Sequence, residues 1–292
     1  MGICDKRSII ITGAGAGLGR AHALALAAEG ASVLVNDINR AGAESVAAEV
    51  VKAGGKAVAN SDDITTMTGA QNIIDAAVKA FGDVHGVVNN AGILRDKMFA
   101  SMGEDDWDLV VKVHLKGHFC ISNLLVKRWR EQAKAGTKID ARIINTSSAA
   151  GLQGSVGQTN YAAAKGGIAS MTLVQAAELG RYGITANALA PAARTGMTEK
   201  LFAEQMKKPE DGSFDHFAPE NVSPIVVWLC SPLSAGCTGK VFEVDGGKLS
   251  IASGWKTGPI LDKKARWNPA ELGAVVEKLI ADSPKAQKVY GT

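Results

Sequence analysis

The chain has 292 residues, and 32 lysines and arginines against 29 aspartates and glutamates give it a net charge of +3. This balance lacks the basic excess of nucleic-acid-binding proteins, so we expect no nucleic-acid partner. Hydrophobic residues make up 46% of the chain and charged residues 21%, a composition that excludes a disordered protein.

Short β-branched runs alternate with alanine-rich helical stretches along most of the chain. Seven strands are predicted near Ser8–Thr12, Ser32–Asn36, Lys56–Asn60, Val84–Asn89, Arg142–Thr146, Ile184–Leu189 and Lys240–Val244. Helices are predicted at Leu18–Glu29, Ala41–Ala53, Met67–Phe81, Trp107–Lys134, Asn160–Tyr182 and Val222–Leu229. This alternation predicts an α/β fold, a doubly wound (Rossmann) parallel seven-stranded sheet with helices on both faces, as a single domain over residues 1–249.

Residues 250–292 follow a different pattern. They begin rich in Gly, Pro and Lys, and one amphipathic helix then opens at Asn268-Pro269. Its apolar stripe consists of Leu272, Val275, Val276, Leu279 and Ile280. We expect a C-terminal helical extension that packs on its own domain, covers a partner subunit or closes the substrate pocket.

A glycine-rich turn joins the first strand to the first helix. Glycine permits a tight turn and lets backbone N–H groups approach a pyrophosphate at the positive end of a helix. At the end of the next strand, Asp37 offers a carboxylate that suits the ribose hydroxyls of NAD and repels the 2′-phosphate of NADP. We therefore predict NAD as cofactor, with NADP the alternative because Arg40 lies close enough to reach a phosphate. The turn residues expected at the pyrophosphate are Gly13, Gly17, Leu18 and Gly19.

A second group of residues indicates catalysis. Ser148 follows a predicted strand, and Tyr161 and Lys165 are spaced i and i+4, so that they share one face of the next helix. Because a neighbouring ammonium favours phenolate, we expect Lys165 to lower the pKa of Tyr161 from about 10.

Together these motifs resemble the short-chain dehydrogenase/reductase family. T-G-x-x-x-G-x-G fits Thr12–Gly19, N-N-A-G fits Asn89–Gly92, Y-x-x-x-K fits Tyr161–Lys165 and V-D-G-G fits Val244–Gly247. The resemblance covers about residues 7–249. It implies an oxidoreductase that transfers a hydride between a nicotinamide cofactor and a secondary alcohol or ketone.

The resemblance also implies residue roles. Tyr161 would exchange a proton with the substrate oxygen, Ser148 would orient that oxygen, and Lys165 would hold the nicotinamide ribose. Besides Tyr161 and Lys165, the residues it places at the cofactor are Asp37, Asp63, Ile64, Asn89, Ala91, Gly92, Pro191 and Thr195.

Two positions depart from the family pattern. His114 stands where many members carry an asparagine that supports a water-linked proton relay; imidazole can also hold water or pass a proton, so His114 is a candidate catalytic residue. The dipeptide Pro191-Ala192 replaces the usual Pro-Gly, which concerns the loop more than the chemistry. His118 lies one turn from His114, but without a third ligand we expect no metal.

Within the family, the chain is most similar to the (3R)-hydroxyacyl-CoA dehydrogenase unit of multifunctional enzyme type 2 and its bacterial relatives. The segments behind this similarity are 35–37, 113–117, 190–198 and an extension that carries Trp255. They imply NAD-dependent oxidation of a 3-hydroxyacyl-CoA. The alternatives are a hydroxysteroid or other short-chain alcohol dehydrogenase, a 3-oxoacyl reductase and, from another class, a non-catalytic NAD-binding sensor or scaffold.

Substrate contacts are expected between Thr195 and Asn221. The apolar side chains there are Met197, Leu201, Phe202, Met206, Phe214 and Phe217, and the cations available for CoA phosphates are Lys256, Lys263, Lys264 and Arg266. The resemblance implies a homodimer or homotetramer. Without a long N-terminal apolar run or a C-x-x-C pair, the chain is expected to be cytoplasmic, with reduced thiols and no membrane partner.

Overall fold

A single sheet of eight strands organises the chain in the computed structural model, which describes residues 2–196 and 206–292. The strands are β1 (Ser8–Thr12), β2 (Ser32–Asn36), β3 (Lys56–Asn60), β4 (Gly86–Asn89), β5 (Ala141–Thr146), β6 (Ile184–Ala192), β7 (Val241–Asp245) and β8 (Lys248–Ile251). The helices are α1 (Gly17–Ala28), α2 (Arg40–Lys52), α3 (Met67–Phe81), α4 (Glu104–Val111), α5 (Gly117–Lys134), α6 (Ala149–Gln153), α7 (Thr159–Leu179), α8 (Ser223–Cys230) and α9 (Leu272–Asp282).

The central strands are buried on both faces. Ile9 and Ile11 of β1 point into a core layer shared with α1, α2 and α8, whereas Ile10 points into the opposite layer, shared with α3 and α5. All three isoleucines are fully buried. An uninterrupted β-branched run is therefore what a strand covered by helices on both sides requires.

The strand order is β3-β2-β1-β4-β5-β6-β7-β8, and the first seven strands are parallel. Successive strands are added toward one edge of the sheet from β1 to β3 and toward the other edge from β4 onward. The change occurs between the parallel neighbours β1 and β4, where Ile11 pairs with Val88. In open α/β sheets, ligands bind at such a switch point, outside the carboxyl ends of the strands. The predicted doubly wound sheet is confirmed.

The strand count of seven was too low by one strand. β8 returns antiparallel to β7 after Gly246 and Gly247, with Asp245 paired to Lys248. All four residues of β8 are exposed, so no buried apolar pattern marks the strand in the sequence.

The extension has two structural parts. No residue of α9 is buried: Val275 and Leu279 of the apolar stripe are partly buried, whereas Val276 and Ile280 are 46% and 69% exposed, so the rest of this chain covers the stripe only in part. The last residues instead return to the domain. Tyr290 forms an isolated parallel bridge with Ser155, in the loop between α6 and α7.

One helical stretch, Glu104–Lys134, is long and apolar enough to span a membrane by length and composition alone. Within the fold it is a core element: Ile121, Leu125 and Trp129 are buried against the sheet layer that contains Ile143. The Trp129 indole donates a hydrogen bond to the Val84 carbonyl at 2.8 Å. Packing inside the domain therefore accounts for its apolar face.

Candidate active site

The glycine turn is shaped by close backbone contacts. Gly13 has a φ of +62°, and a Cβ on it would lie 2.6 Å from the Ala91 Cα. A Cβ on Gly19 would lie 2.3 Å from the Gly13 carbonyl oxygen. Side chains at these positions would push the first strand, the turn and α1 apart. The structure thus brings together the predicted residues Gly13, Gly19 and Ala91.

The start of α1 suits a phosphate. Its N-cap residue, Ala16, has no side-chain acceptor for the first N–H groups of the helix. Thr195 lies opposite, because a Cβ on Gly17 would come within 3.4 Å of the Thr195 Cγ2 atom. Leu18 is the second residue of α1. A helix N-terminus without a side-chain cap fits the pyrophosphate of a dinucleotide.

The Asp37 carboxylate is fixed beside this turn. One oxygen accepts the Gly15 N–H at 2.9 Å and the other accepts the Asn39 N–H at 2.9 Å. A Cβ on Gly15 would meet that carboxylate at 2.9 Å. Arg40 is largely exposed and lies 4.0 Å from Glu44. The ribose end of the site therefore presents a positioned negative charge and a cation that is free to move.

The two asparagines of the N-N-A-G motif bind different parts of the structure, one the core and the other the glycine turn. The Asn89 amide is buried and donates to Ser122 and Asn145, both at 2.9 Å, so its side chain supports the sheet. Asn90, which the sequence analysis did not single out, donates to the Thr12 and Gly13 carbonyls at 3.0 and 2.9 Å. The asparagine that holds the turn is therefore Asn90, and its place in the motif was the available signal.

Two further predicted cofactor residues follow β3. The Asp63 carboxylate accepts the Thr65 N–H and hydroxyl, each at 2.8 Å, which fixes the loop. Ile64 is 7% exposed, and its side chain would lie 2.7 Å from a Cβ on Gly117. Pro191 lies in β6, paired with Val244, and the strand continues through Ala192, so alanine replaces the usual glycine there within an extended strand.

Ser148, Tyr161 and Lys165 converge at the carboxyl end of β5. Ser148 is the N-cap of α6 and its hydroxyl also hydrogen-bonds the Tyr161 side chain. A Cβ on Gly151 would lie 2.6 Å from the backbone of Lys165, so α6 packs directly on α7 and holds Ser148 opposite Tyr161. The Lys165 ammonium lies 5.5 Å from the centre of the Tyr161 ring.

Burial dominates the electrostatics of this group. Lys165 donates to the Thr146 carbonyl at 2.6 Å, and desolvation lowers its pKa to about 7. Burial also raises the pKa of Tyr161; the hydrogen bond to Ser148 lowers it, and the charge of Asp96 raises it further. The expected lowering of the Tyr161 pKa was therefore wrong for this structure, because desolvation of the phenolate outweighs the favourable contacts.

His114 lies against Tyr161, the predicted catalytic tyrosine. The two rings meet edge to face with their centres 5.1 Å apart. The imidazole Nε2 lies 2.8 Å from the Ile93 carbonyl oxygen and 3.0 Å from its N–H, and burial lowers the His114 pKa to about 3. Nδ1 is buried and has no hydrogen-bond partner among residues 2–196 and 206–292. His114 is thus a neutral ring beside Tyr161.

The local chain explains this placement. His114 lies in a single π-helical turn, Lys112–Lys116, between α4 and α5, and such turns often occur at functional sites. A Cβ on Gly92 would lie 2.3 Å from the imidazole Cε1 atom, so glycine is needed to admit the ring. His118, one turn on, accepts the Thr146 N–H at 3.3 Å and does not join His114 in a shared site.

The predicted substrate segment is only partly described, since Met197, Leu201 and Phe202 lie outside the described residues. Beyond them, Arg194 forms an ion pair with Asp215, and its backbone N–H donates to the Phe217 carbonyl at 2.7 Å. His216 reaches the Asp245 carboxylate at 2.5 Å. One ion pair and one hydrogen bond therefore hold this segment near the ends of β6 and β7. Of its predicted apolar side chains, Met206 and Phe217 are partly buried and Phe214 is 63% exposed.

Two of the four predicted cations of the extension are paired with carboxylates. Lys263 is paired with Glu271 and lies over the Trp267 ring, 5.4 Å from its centre. Lys264 pairs with Asp262 at 2.7 Å. Both are exposed surface pairs, so they give no support to a CoA phosphate site.

Comparison with known proteins identifies the family. The short chain dehydrogenase family matches residues 7–206. Hydroxyacyl-CoA dehydrogenase ChsB1 of Mycobacterium tuberculosis is 41% identical over 97% of this chain and 91% of that protein. Peroxisomal multifunctional enzyme type 2 of Mus musculus is 38% identical over 94% of this chain, which corresponds to 34% of that longer protein.

Solved structures agree with this assignment. The crystal structure of a short chain dehydrogenase from Mycobacterium avium is 53% identical, with a TM-score of 0.92 and full coverage of both chains. That of 3-ketoacyl-(acyl-carrier-protein) reductase from Brucella melitensis, complexed with NADH, is 29% identical with a TM-score of 0.74 and covers 84% of this chain and 98% of that one. The chain belongs to the short-chain dehydrogenase/reductase family and is an oxidoreductase that acts on CH–OH groups of a small-molecule substrate with a nicotinamide cofactor.

Proposed function

We propose that the chain is an NAD-dependent 3-hydroxyacyl-CoA dehydrogenase. The observation that carries the enzyme activity is the convergence of Ser148, Tyr161 and Lys165 beside the glycine turn at the switch point of the sheet. The substrate class is supported by the 41% sequence identity to a hydroxyacyl-CoA dehydrogenase, in an alignment that covers 97% of the chain.

NAD is favoured over NADP by the Asp37 carboxylate, which the backbone of Gly15 and Asn39 holds beside the turn. The first turn of α1, without a side-chain cap, would take the pyrophosphate, and Thr195 lies across from it. When bound, the cofactor supplies the nicotinamide ring that accepts or donates the hydride.

The residues of the chain handle the proton. In oxidation, Tyr161 takes the hydroxyl proton of the substrate as the carbinol C–H bond breaks, and the two electrons of that bond leave with the hydride. Ser148 donates to the same oxygen and fixes its orientation. In reduction, Tyr161 returns the proton to the carbonyl oxygen. Because burial raises its pKa, Tyr161 is protonated at neutral pH, and oxidation therefore gains from alkaline conditions.

A second candidate is reduction of a 3-oxoacyl thioester. The protonated Tyr161 favours this direction, and the Brucella melitensis reductase is a structural neighbour. Both candidates use the same site and differ in which substrate is present.

The test is a substrate panel. We expect reduction of NAD with 3-hydroxyacyl-CoA esters of several chain lengths, weaker turnover of hydroxysteroids and none of small sugars, with NADP a poor substitute for NAD. Turnover of sugars alone would reject the proposal. A preference for NADP would reject the assignment of Asp37.

We further propose that the enzyme is a cytoplasmic homodimer or homotetramer, with residues 1–249 as the catalytic domain and 250–292 as its extension. Exposed apolar side chains on α5 and α7, Phe119, Leu173 and Val174, support an assembly, as do the exposed Val276 and Ile280 of α9. Light scattering coupled to size-exclusion chromatography measures the subunit number; a monomer at micromolar concentration would contradict it.

A further inference from the structure

The segment that follows Gly92 runs past the buried Tyr161. Ile93 contacts the imidazole of His114, whose edge lies on the Tyr161 ring. Further along, the Lys97 N–H donates to the Gly157 carbonyl at 2.8 Å, immediately before α7. The residues between these two contacts therefore lie beside the catalytic tyrosine.

Asp96 is the acidic residue in this segment. One of its oxygens accepts the side-chain amide of Gln158, the residue before α7, at 2.9 Å. The other is buried and has no hydrogen-bond donor within the described part of the chain. Asn160 ties the neighbouring backbone to the same helix by donating to the Arg95 carbonyl at 3.1 Å. The carboxylate is thus held in place and only half satisfied.

The cations next to Asp96 do not neutralise it. Lys97 is paired with Asp106 at 2.7 Å, and exposed Arg95 donates to the Leu94 carbonyl at 2.8 Å. Asp96 therefore has no cationic partner within residues 2–196 and 206–292. Its burial raises its own pKa, an effect that the hydrogen bond from Gln158 opposes.

The other groups that face Tyr161 differ in kind. Ser148 hydrogen-bonds the phenol, His114 is a neutral ring, and Lys165 on α7 directs its ammonium at the Thr146 carbonyl. Asp96 is tied through Gln158 to the start of the helix that carries Tyr161, and its charge raises the pKa of that tyrosine. A nearby negative charge favours the neutral phenol over the phenolate.

We propose that Asp96 is a positioning residue for proton transfer: its carboxylate, fixed by Gln158 at the start of the helix that carries Tyr161, keeps the proton on that tyrosine. The proposal rests on the proposed function only in giving Tyr161 the proton-transfer role. It predicts that Asp96 sets how alkaline the solution must be before Tyr161 can act as a base. Removal of the charge makes the oxidation direction available at lower pH.

The test reads the ionisation of Tyr161 directly. The chain has three tyrosines, so Tyr182→Phe with Tyr290→Phe leaves Tyr161 alone. Fluorinated tyrosine incorporated into this background loses its proton at lower pH than tyrosine does, which brings the transition into the range where the fold persists. The midpoint is measured by ¹⁹F NMR on the free protein. Tyr161→Phe in the same background removes the signal and so assigns it.

Asp96→Asn keeps the shape of the side chain and an acceptor for Gln158. We expect it to lower the Tyr161 midpoint by roughly 0.5–1.5 pH units. The matched control is Asp106→Asn, which removes a nearby carboxylate that is already paired with Lys97. We expect the Tyr161 midpoint of this variant to equal that of the parent. Gln158→Leu, which releases the tether, gives a smaller decrease and serves if Asp96→Asn does not fold.

An Asp96→Asn midpoint equal to or above that of the parent would overturn the proposal, as would an equal decrease in Asp106→Asn. Enzyme kinetics give a second measurement, with all three tyrosines present. Compared with wild type, Asp96→Asn should shift the acidic limb of the pH–rate profile for oxidation to lower pH. The NMR titration needs neither cofactor nor substrate. If the substrate panel fails, the result of the NMR titration therefore remains valid. If Asp96→Asn does not change the Tyr161 midpoint, the proposal for Asp96 is rejected and the proposed activity is unaffected.

Discussion

The glycine turn, our proposed cofactor side, and the surroundings of Tyr161, our proposed proton-transfer side, are built in different ways. On the cofactor side, Gly13 packs on the backbone of Ala91 and Gly19 on that of Gly13, so neither glycine has room for a Cβ. On the proton-transfer side, Tyr161 is surrounded by polar side chains whose charges and hydrogen bonds are incompletely matched. The first side is specified by shape and the second by electrostatics, so they should respond differently to substitution.

The largest expected effect separates chemistry from binding. Tyr161→Phe removes the proton-transfer group, and we expect kcat to fall by about 10²–10⁴-fold in either direction. Cofactor affinity, measured by NADH fluorescence, stays nearly unchanged because the glycine turn is intact. Residual activity close to wild type would show that another residue exchanges the proton.

On the cofactor side, the effect should be steric. Gly19→Ala places a Cβ 2.3 Å from the Gly13 carbonyl oxygen, and overpacking of this kind costs about 1–3 kcal/mol. We expect weaker NADH binding and a lower Tm. Gly236→Ala is the matched control, since a Cβ there meets nothing within 4 Å. Equal behaviour of the two variants would show that the turn tolerates displacement.

Lys165→Met tests the cost of burial. Burial lowers the pKa of Lys165 from its ordinary value of 10.5 to about 7, so the buried ammonium destabilises the fold fully below pH 7 and progressively less from about pH 7 to 10.5. We expect Lys165→Met to be more stable than wild type at pH 6, on the order of 1–3 kcal/mol after the lost hydrogen bond to Thr146 is included.

Urea unfolding at pH 6 and pH 9 measures this difference, which should shrink at the higher pH. Exposed Lys256→Met is the control and should show no such trend. A difference that is constant with pH would mean that Lys165 titrates near its ordinary value in the fold.

The last prediction concerns cofactor choice. Asp37→Ala removes the carboxylate at the ribose end of the site while the Gly15 backbone remains. We expect NAD to lose about 1–3 kcal/mol of binding free energy and NADP to improve relative to it. The ratio of kcat/KM for the two cofactors is the measurement. An unchanged ratio would transfer the selection to other residues.

The features that depend on close packing, the glycine turn and the buried strands, were largely predictable from the sequence. Glycines at fixed spacing in the β1–α1 turn have a steric reason to be there, and the isoleucine run of β1 has one in the two core layers. What escaped prediction lacked a local signal: β8 is wholly exposed, and α6 (Ala149–Gln153) is a single short turn.

The electrostatic properties around Tyr161 were less predictable from the sequence, because the pKa values there depend on burial. The i, i+4 spacing correctly placed Lys165 beside Tyr161. It gave the wrong direction for the tyrosine pKa, since the desolvation of both groups depends on the whole fold. Asp96 carries no motif of its own, and only the contact with Gln158 reveals its place.

The bridge between Tyr290 and Ser155 has a practical consequence for work on this enzyme. The Tyr290 carbonyl accepts the Val156 N–H at 2.9 Å, and its own N–H donates to Gly154 at 3.2 Å. These hydrogen bonds attach the loop between the helix capped by Ser148 and the helix that carries Tyr161 to residues 289–292. A tag joined directly after Thr292 would lie beside this attachment, so kinetic measurements are better made on protein tagged before residue 1.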